Sequence, residues 1–442
     1  MSTSTLLIGD FNIHVDSTSC PSLDGLVAHY NTAVTLKTTG RRLERLYKRS
    51  GLTLHHEAYK DHVRSYKEAL SKAKTKYYTT LIGDQQNNPR MLFSTINRLL
   101  SPLDVRHLSG APDLCFKFLD FFQEKVATIH QQLLASATTL PDAPLTQIAD
   151  PPTVCLPQCS LSSFSQAKAS TCSLDPMPTT LVKSSLPALC PLIMEMINSS
   201  LEYDIVPSTF KTALVTPILK KPGLDPDDLH NYRPISNLHF LSKILERAVA
   251  TQLQQHMSNH ELYEPLQSGF RARHSTETAL IKITNDLLIA ADSGHISILI
   301  LLDLSAAFDT ISHTILLTHL SDYLGLTGTA LSWFQSYLTN RKQFVTIGDS
   351  GSTQAPINQG VPQGSVLGPL LFTIYMLPLG QIIRKHGLNF HSYADDTQLY
   401  LCTKPSTQLP PQSLVNCLHD LKLWMTSYLL KLNTNKTELM VL

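Results

Sequence analysis

The sequence predicts an α+β fold in which an antiparallel sheet is backed by helices. Residues 390–401 contain two short runs of aromatic and β-branched residues on either side of an Ala-Asp-Asp triplet, which predicts a β-hairpin with a tight turn. Residues 297–302 are nearly all apolar, as expected of a strand that is buried on both faces. Apolar residues recur at helical spacing in other segments, among them 238–257, 330–338 and 414–432, which predicts the backing helices.

The remaining elements of the C-terminal part follow from local composition. Ser275 or Thr276 is a suitable N-cap, and Glu277 in the first turn complements the helix dipole. Before the buried strand we expect a helix from Leu186 to Leu201, a strand in 211–222 that leads into a basic turn, a strand in 231–237, a helix in 238–257 and a helix from the Ser275 cap through Ala290. After the buried strand we expect a helix in 330–338, a strand in 343–347 and a helix at 370–372. The hairpin and a helix in 414–432 complete the order.

The composition is that of a globular protein, since 43% of the 442 residues are hydrophobic and 16% are charged. A chain of this length predicts two or three domains. It has no run of the roughly 18 apolar residues that a membrane helix needs, and no signal peptide, so no membrane partner is expected. The eight cysteines are scattered, which favours reduced thiols and an intracellular protein of the nucleus or cytoplasm.

Positive charge is concentrated in one segment. The net charge is +1, but residues 36–82 contain twelve Lys or Arg and four Asp or Glu, a local net charge of +8. Two charged helices are expected in 41–82, as either a solvated amphipathic linker or a pair that contacts phosphates. The domain organisation is therefore predicted as a helical basic connector over 30–137, a proline-rich linker over 138–172 and a further domain over 173–442.

Three aspartates are candidate metal ligands. Asp395 and Asp396 are adjacent at the tip of the predicted hairpin, where their charges repel unless a cation lies between them. Asp303 follows the buried strand, and burying an unpaired acid costs several kcal/mol, so a partner or a metal is expected there. Three carboxylates on neighbouring strands could hold two Mg²⁺ ions roughly 3.5–4 Å apart, as in polymerases. Carboxylate oxygens favour Mg²⁺, with Mn²⁺ as a possible substitute.

Three ordered motifs carry a family resemblance. Residues 301–309 (LLDLSAAFD), 359–369 (QGVPQGSVLGP) and 393–396 (YADD) resemble the motifs of reverse transcriptases, in the form found in non-long-terminal-repeat (LINE-type) retrotransposons. The likeness runs from about Leu174 to the C-terminus. It implies an RNA-directed DNA polymerase, a nucleotidyltransferase with right-hand fingers and palm that extends a DNA primer with dNTPs on an RNA template.

The resemblance also implies roles for residues near the three acids. Phe308 matches an aromatic steric gate that excludes a ribose 2′-hydroxyl, and Lys436 matches a proposed proton donor to the departing pyrophosphate. Asp309 is expected to cap or brace the following helix rather than to bind metal. The implied catalytic acids are Asp303, Asp395 and Asp396, and the implied metal ligands are Asp303, Leu304, Asp395 and Asp396.

Substrate contacts are implied outside the acidic motifs. By position in the fingers, Lys220 or Lys221 and Arg233 would hold the triphosphate, because Arg offers a fixed fork to phosphate oxygens and Lys a mobile point charge. Gln363 and Gly364 would contact the incoming nucleotide and the template base, since glycine lets the backbone approach closely.

Nucleic-acid contacts are expected just before the helix that begins at Ser275 or Thr276. Arg271 and Arg273 precede this helix N-terminus, a natural place to meet the template backbone.

The chain ends are expected to lack parts of the full retrotransposon protein. Residues 6–12 (LLIGDFN) resemble a strand end of the apurinic-type endonuclease, which predicts an endonuclease remnant over residues 1–16. Only six residues follow Lys436, so the primer grip and the helical thumb are expected to be missing. Two alternatives stay open: an inactive truncated product that binds nucleic acid without polymerising, and an RNA polymerase with the same palm. Phe308 argues against the second, and the oligomeric state is not predicted.

Overall fold

The computed structural model describes residue 39 and residues 42–50, 52–84, 112–135, 172–221, 223–407 and 409–442. The chain divides into two compact units, Met1–Val105 and Arg106–Leu442. In the first unit, residues 42–50 are helical and a long helix α1 spans Thr53–Asp84, which confirms the two predicted charged helices. The predicted endonuclease remnant and residues 138–171 of the predicted linker lie outside the described residues. No helix in the described ranges is long and apolar enough to cross a bilayer.

The second unit contains helices and strands in nearly the predicted order. Its helices are α2 (Pro112–Ala135), α3 (Thr179–Ser184), α4 (Leu186–Glu202), α5 (Phe240–Asn259), α6 (Thr276–Asp292), α7 (His313–Asp322), α8 (Gly328–Leu338), α9 (Gly368–Tyr375), α10 (Pro378–Lys385) and α11 (Gln412–Ser427). Its strands are β1 (Thr212–Leu219), β2 (Tyr232–Asn237), β3 (Ile296–Leu302), β4 (Leu304–Ser305), β5 (Arg341–Ile347), β6 (Ser350–Gly351), β7 (Ala355–Ile357), β8 (Asn389–Tyr393), β9 (Asp396–Thr403), β10 (Lys431–Leu432) and β11 (Glu438–Val441).

An antiparallel sheet in the order β11-β3-β9-β8 contains both the buried strand and the hairpin predicted from sequence. Its strand β3 is almost entirely buried, which explains the continuous apolar run, because both faces of the strand are covered. The short strands β4 and β10 form a separate antiparallel ribbon, in which Leu304 lies opposite Leu432. The sheet and the ribbon together bring the C-terminal segment beside the end of β3.

A second sheet has the order β2-β1-β5-β6, with β7 paired to β5. Strands β1 and β2, both predicted from the sequence, pair in antiparallel orientation on either side of the basic turn, with Ile218 opposite Arg233. Strand β5 runs parallel to β1, so this sheet is mixed. Helix α2 packs against it, because Phe118 and Phe122 join Tyr232 in one apolar cluster.

The main core lies between the helices and the antiparallel sheet. Trp333 of α8 is fully buried, stacks on Tyr337 and donates a hydrogen bond from Nε1 to Ser200 Oγ (3.1 Å), which confirms that it is a core residue. Burial of each such large side chain stabilises the fold by about 1.5–3 kcal/mol. These contacts fix the helices behind the sheet.

The predicted end of the last helix is wrong. Periodicity predicts a helix to Leu432, but α11 ends at Ser427, Leu429 has a φ of +54°, and the chain then enters β10. The buried Leu430 continues the apolar spacing beyond the end of the helix. Hydrophobic periodicity does not show where such a run changes from helix to strand.

Candidate active site

The strand register brings the three aspartates to one edge of the antiparallel sheet. Asp395 lies in the tight turn between β8 and β9, and Asp396 begins β9 opposite Tyr393. Asp303 directly follows β3, whose last residue Leu302 lies opposite Thr397. Neighbouring strands thus end at the same place, and the carboxylates influence one another electrostatically.

The charges at this edge repel one another. Partial burial raises the pKa of the Asp395 carboxyl, and the Asp303 carboxylate raises it further. The pKa of Asp396 is also raised, first by desolvation and then by the charges of Asp395 and Asp303. The Lys436 amine opposes both shifts. A cation among the carboxylates would relieve this repulsion.

The donor set fits a divalent metal ion. The candidate ligands are all oxygen atoms, which Mg²⁺ and Mn²⁺ prefer, and the mutual repulsion of the acids favours a bound cation. The Leu304 side chain is apolar and buried, so that residue could contribute only its main-chain carbonyl. Within the part of the chain that the structure describes, no three His, Cys, Asp or Glu side chains form a preassembled ligand group. The acids therefore share an edge, and their side chains would have to converge on an ion.

Asp303 is held in place by a residue that sequence reasoning missed. Asn433 donates from its backbone N–H to the Asp303 carbonyl (2.8 Å) and from Nδ2 to Asp303 Oδ2 (2.7 Å). The predicted proton donor Lys436 lies close by, with Nζ 3.6 Å from the same Oδ2 and a side chain that is 66% exposed. The only sequence signal for Asn433 is its position in the segment that contains Lys436.

The tip of the hairpin is clamped by Gln267, a second residue that sequence reasoning missed. Gln267 Oε1 accepts hydrogen bonds from the Ala394 N–H (2.9 Å) and the Gly269 N–H (2.7 Å), and Nε2 donates to the Ala394 carbonyl (3.0 Å). Ala394 has a φ of +57°, which is strained for a residue with a Cβ. The buried Gln267 amide thus stabilises the turn that presents Asp395.

Phe308 has a fixed ring position. The ring stacks on the buried Phe372 (centroids 4.8 Å apart, 25° between planes) and meets Phe270 edge-on at 6.3 Å. The main chain is held as well, because the Phe308 carbonyl accepts a hydrogen bond from the Val361 N–H (2.9 Å). A ring held in this way can act as a steric wall, which is the role that the family resemblance implies.

Asp309 does not cap the following helix, so the capping part of that prediction is wrong. Helix α7 is capped by Ser312, whose side chain accepts from the Ile315 N–H. Both carboxylate oxygens of Asp309 instead accept from Gln363 Nε2 (3.0 Å each). Burial raises the pKa of Asp309 to about 6, although the Gln363 hydrogen bond and the charge of Lys125 oppose the shift. The local sequence could not show this pairing, because Gln363 is distant in the chain.

Replacing Asp309 with Asn should change how stability depends on pH. A carboxyl whose pKa is raised in the folded state stabilises the fold while protonated, and this contribution is lost as the pH rises through 6. Between pH 5 and pH 7 the wild-type unfolding free energy should therefore fall by about 1 kcal/mol relative to Asp309→Asn. Urea unfolding at the two pH values measures the difference. Equal pH dependence in both proteins would contradict the assignment.

Two glycines of the 359–369 loop are required by packing within the protein. Gly360 has a φ of +80°, and a Cβ there would lie 2.7 Å from the Asp309 carbonyl oxygen. Gly364 has a φ of +123°, and its Cβ would lie 2.4 Å from the Ser236 carbonyl oxygen. The Ser236 N–H also donates to the Gln363 carbonyl (2.7 Å). The predicted nucleotide contacts of Gln363 and Gly364 stay predictions, since the Gln363 amide is bound to Asp309.

Glu246 is a third residue that sequence reasoning missed. It is buried on α5, and its Oε2 accepts from the backbone N–H groups of Val366 (2.7 Å) and Leu367 (3.1 Å). These groups lie at the start of α9 and would otherwise be unpaired. Glu246 therefore anchors the loop that carries Gln363.

The predicted phosphate-binding cations lie at the β1–β2 hairpin. Lys220 Nζ donates to the His230 carbonyl (2.6 Å), and its backbone N–H pairs with the Asn231 carbonyl (2.8 Å). Lys221 and Arg233 are exposed. Arg233 is on strand β2, whereas Lys220 and Lys221 directly follow β1. The contact of these cations with a triphosphate stays a prediction.

Arg271 and Arg273 lie where the sequence places them, before α6. Ser275 caps that helix in a reciprocal capping box with Thr278, which confirms the predicted cap. The Arg271 guanidinium lies 4.9 Å from the Tyr263 ring centroid, so part of the guanidinium surface already contacts that ring. Arg273 is exposed with a φ of +64°. Template contact by the two arginines stays a prediction.

Comparison with known proteins agrees with the motifs. Residues 218–441 match the family described as reverse transcriptase (RNA-dependent DNA polymerase). The fold and the acidic site define a mixed α/β protein of the nucleotidyl-transferring class, and this match covers half of the chain. The chain belongs to the reverse transcriptase family.

Several relatives come from mobile elements of Drosophila melanogaster. The chain is 30% identical over 264 residues to the probable RNA-directed DNA polymerase from transposon BS (57% of this chain, 28% of that protein). It is 29% identical over 253 residues to the RNA-directed DNA polymerase from mobile element jockey (54% and 26%). The chain thus spans about a quarter of the length of these curated relatives. A solved apo telomerase from Candida tropicalis, truncated from its C-terminal domain, has a TM-score of 0.39 and 13% identity over 56% of this chain and 54% of that chain.

Proposed function

We propose that this chain is the catalytic part of a non-long-terminal-repeat retrotransposon protein and adds dNTPs to a DNA primer on an RNA template. The observation that carries the proposal is the placement of Asp303, Asp395 and Asp396 at one sheet edge, in a chain that belongs to the reverse transcriptase family. Acids on neighbouring strands are the arrangement that two-metal phosphoryl transfer requires.

The two sheets and their helices support a right-hand polymerase architecture. The β11-β3-β9-β8 sheet and its helices correspond to a palm, and the β1, β2 and β5 sheet corresponds to fingers, together forming a polymerase domain over 173–442. The segment 30–137 would be the basic connector and 138–172 the linker. Residues 1–16 would be the endonuclease remnant. Such an enzyme would act in the nucleus or cytoplasm, where its template RNA and target DNA occur.

The chain's own residues supply positioning and charge. When bound, two Mg²⁺ ions, or Mn²⁺, held by Asp303, Asp395, Asp396 and the Leu304 carbonyl would lower the pKa of the primer 3′-hydroxyl and stabilise charge on the phosphate. Asn433 fixes the Asp303 side chain, and Lys436 stands 3.6 Å from it, where its ammonium could pass a proton to departing pyrophosphate.

Substrates would be held from three sides of the acidic edge. The triphosphate would be held by the cations of the β1–β2 hairpin, namely Lys220, Lys221 and Arg233. Lysine offers a mobile point charge to phosphate oxygens, and arginine offers a fixed fork of donors. Gln363 and Gly364 would contact the nucleotide and the template base, and Arg271 and Arg273 would bind template phosphates.

Primer extension tests the proposal directly. The purified chain is given poly-rA, oligo-dT, Mg²⁺ and dTTP, and elongation of the labelled primer is measured. We expect elongation that needs the divalent ion and the RNA template. A chain that binds the template-primer in a gel-shift assay but extends nothing would instead be the inactive nucleic-acid-binding product.

Replacing Phe308 with Ala should weaken sugar discrimination. The Phe308 ring, braced by Phe372, would occupy the space of a ribose 2′-hydroxyl, and a clash is the usual way to reject a near-identical substrate. The ratio of kcat/KM for dTTP over UTP should fall by about tenfold or more in Phe308→Ala. Phe116→Ala is a matched control, because Phe116 is exposed on α2. An unchanged ratio would remove Phe308 from the sugar site.

A further inference from the structure

Helix α2 forms one wall of a cleft beside the candidate active site. The cleft has a volume of about 260 Å³ and lies between α2, strand β2 and the loop that carries Gln363. Its lining includes Lys125, Pro234, Asp309, Gln343, Gly360 and Gln363. Lys125 is the cation in this lining, and it lies outside residues 218–441 that match the family.

Helix α2 is held firmly enough to position Lys125. Phe118 meets the Tyr232 ring edge-on at 4.9 Å, on the sheet that carries the basic hairpin. Five residues after Lys125, His130 Nε2 lies 2.9 Å from the carbonyl oxygen of Thr310, the residue after Asp309. Contacts on both sides of Lys125 therefore tie the helix to strand β2 and to the segment between β4 and α7.

Three lysines from different parts of the chain approach one another here. The pKa of Lys220 is lowered by burial first, then by the charge of Lys125 and then by that of Lys436. Lys436 in turn pairs with the Asp303 carboxylate. The charge of Lys220 thus interacts with that of Lys125, which lines the cleft, and with that of Lys436, which lies beside Asp303. Among the described residues Lys125 has no hydrogen-bond or ion-pair partner, although its charge acts on the Asp309 carboxyl in the same cleft.

We propose that Lys125 binds the triphosphate of the incoming dNTP and that α2 is part of the nucleotide site. Lys125 lines the same cleft as Gln363, which is expected to contact the incoming nucleotide, and Lys436 lies beside Asp303. Lys220 and Lys436 already face the substrate in the proposed function, on which this inference rests. Each lysine contact to phosphate is a charge-assisted hydrogen bond.

The test compares Lys125→Ala with wild type in primer extension at saturating poly-rA/oligo-dT. We expect the KM for dTTP to rise by about tenfold, with a smaller change in kcat and with most of the affinity restored in Lys125→Arg. Lys117→Ala is the matched control, because Lys117 is exposed on the same helix and does not line the cleft. Unfolding by urea checks that the variants fold as wild type does.

A second measurement separates this inference from the proposed function. Calorimetry measures dTTP binding to the full chain on a dideoxy-terminated primer, which requires no turnover. If Lys125→Ala binds dTTP more weakly than wild type does, the inference is supported, even if wild type extends no primer. The absence of primer extension by wild type would overturn only the polymerase proposal. An unchanged KM and an unchanged dTTP affinity would overturn the role of Lys125. A weakened affinity for poly-rA/oligo-dT with unchanged dTTP affinity would also overturn it, because the contact would then be to nucleic-acid backbone.

Discussion

Asp395→Asn is expected to reduce dTTP incorporation by about 10³-fold or more while the chain stays folded. Asp395 would help Asp303 and Asp396 to hold the metal ions, and loss of one anionic ligand weakens the charge stabilisation that lowers the barrier, at about 1.4 kcal/mol for each factor of ten. The measurement is single-nucleotide incorporation on poly-rA/oligo-dT, together with an unfolding curve of each protein.

The stability of the same variant gives an independent check. Because burial and the Asp303 charge raise the pKa of Asp395, its ionised form disfavours the folded state above that pKa. The neutral Asn removes this repulsion, so the variant without metal should be at least as stable as wild type at pH 8. Asp292→Asn, at an exposed position at the end of α6, should retain full activity. Wild-type activity in Asp395→Asn would remove Asp395 from the catalytic site.

Gly269→Ala should lower incorporation by about 10²-fold. A Cβ on Gly269 would lie 2.1 Å from the Ala394 nitrogen and 2.7 Å from its Cα, so the hairpin tip has to move. A displacement of about 1 Å at a catalytic group is enough for a loss of this size. The loss should be mainly in kcat, because the displaced group is Asp395 rather than a substrate-binding cation.

A second glycine provides the control for this experiment. Gly351 is also in a hairpin, but a Cβ there would meet its nearest neighbour, Thr346 Cγ2, at 3.7 Å, which is ordinary contact. Gly351→Ala should therefore keep wild-type kcat. If Gly269→Ala has wild-type kcat and is fully folded, the packing of Gly269 against the turn does not set the position of Asp395.

Most of the elements could be predicted from the sequence, because their signals are local. The apolar run of β3, the Ala-Asp-Asp turn and the Ser275 cap each depend on neighbouring residues. The end of the last helix was mispredicted at Leu432 because apolar residues continue at the same spacing from the helix into the following strand β10. The three ordered motifs also pointed to the family, which the match over 218–441 shows.

The site contacts could not be predicted in the same way. Gln267 and Glu246 are a polar amide and an acid without a distinctive local pattern, yet one clamps the Ala394 turn and the other anchors the loop before α9. Asp309 was assigned to the next helix because that helix was its sequence neighbour, whereas its partner is Gln363. Each of these contacts joins segments that are far apart in the chain.

By itself, the sequence determined the kind of elements, the family and the three acids as candidate metal ligands. Periodicity, turn chemistry and motif order can all be read from residues that are close together in the chain. Only the tertiary structure decided that β3 and β9 pair with Leu302 opposite Thr397, that Asn433 holds Asp303, and that α2 brings Lys125 to the cleft that Gln363 also lines. The physical reason is that strand register and helix docking depend on the burial of many distant side chains at once. No single segment contains that information.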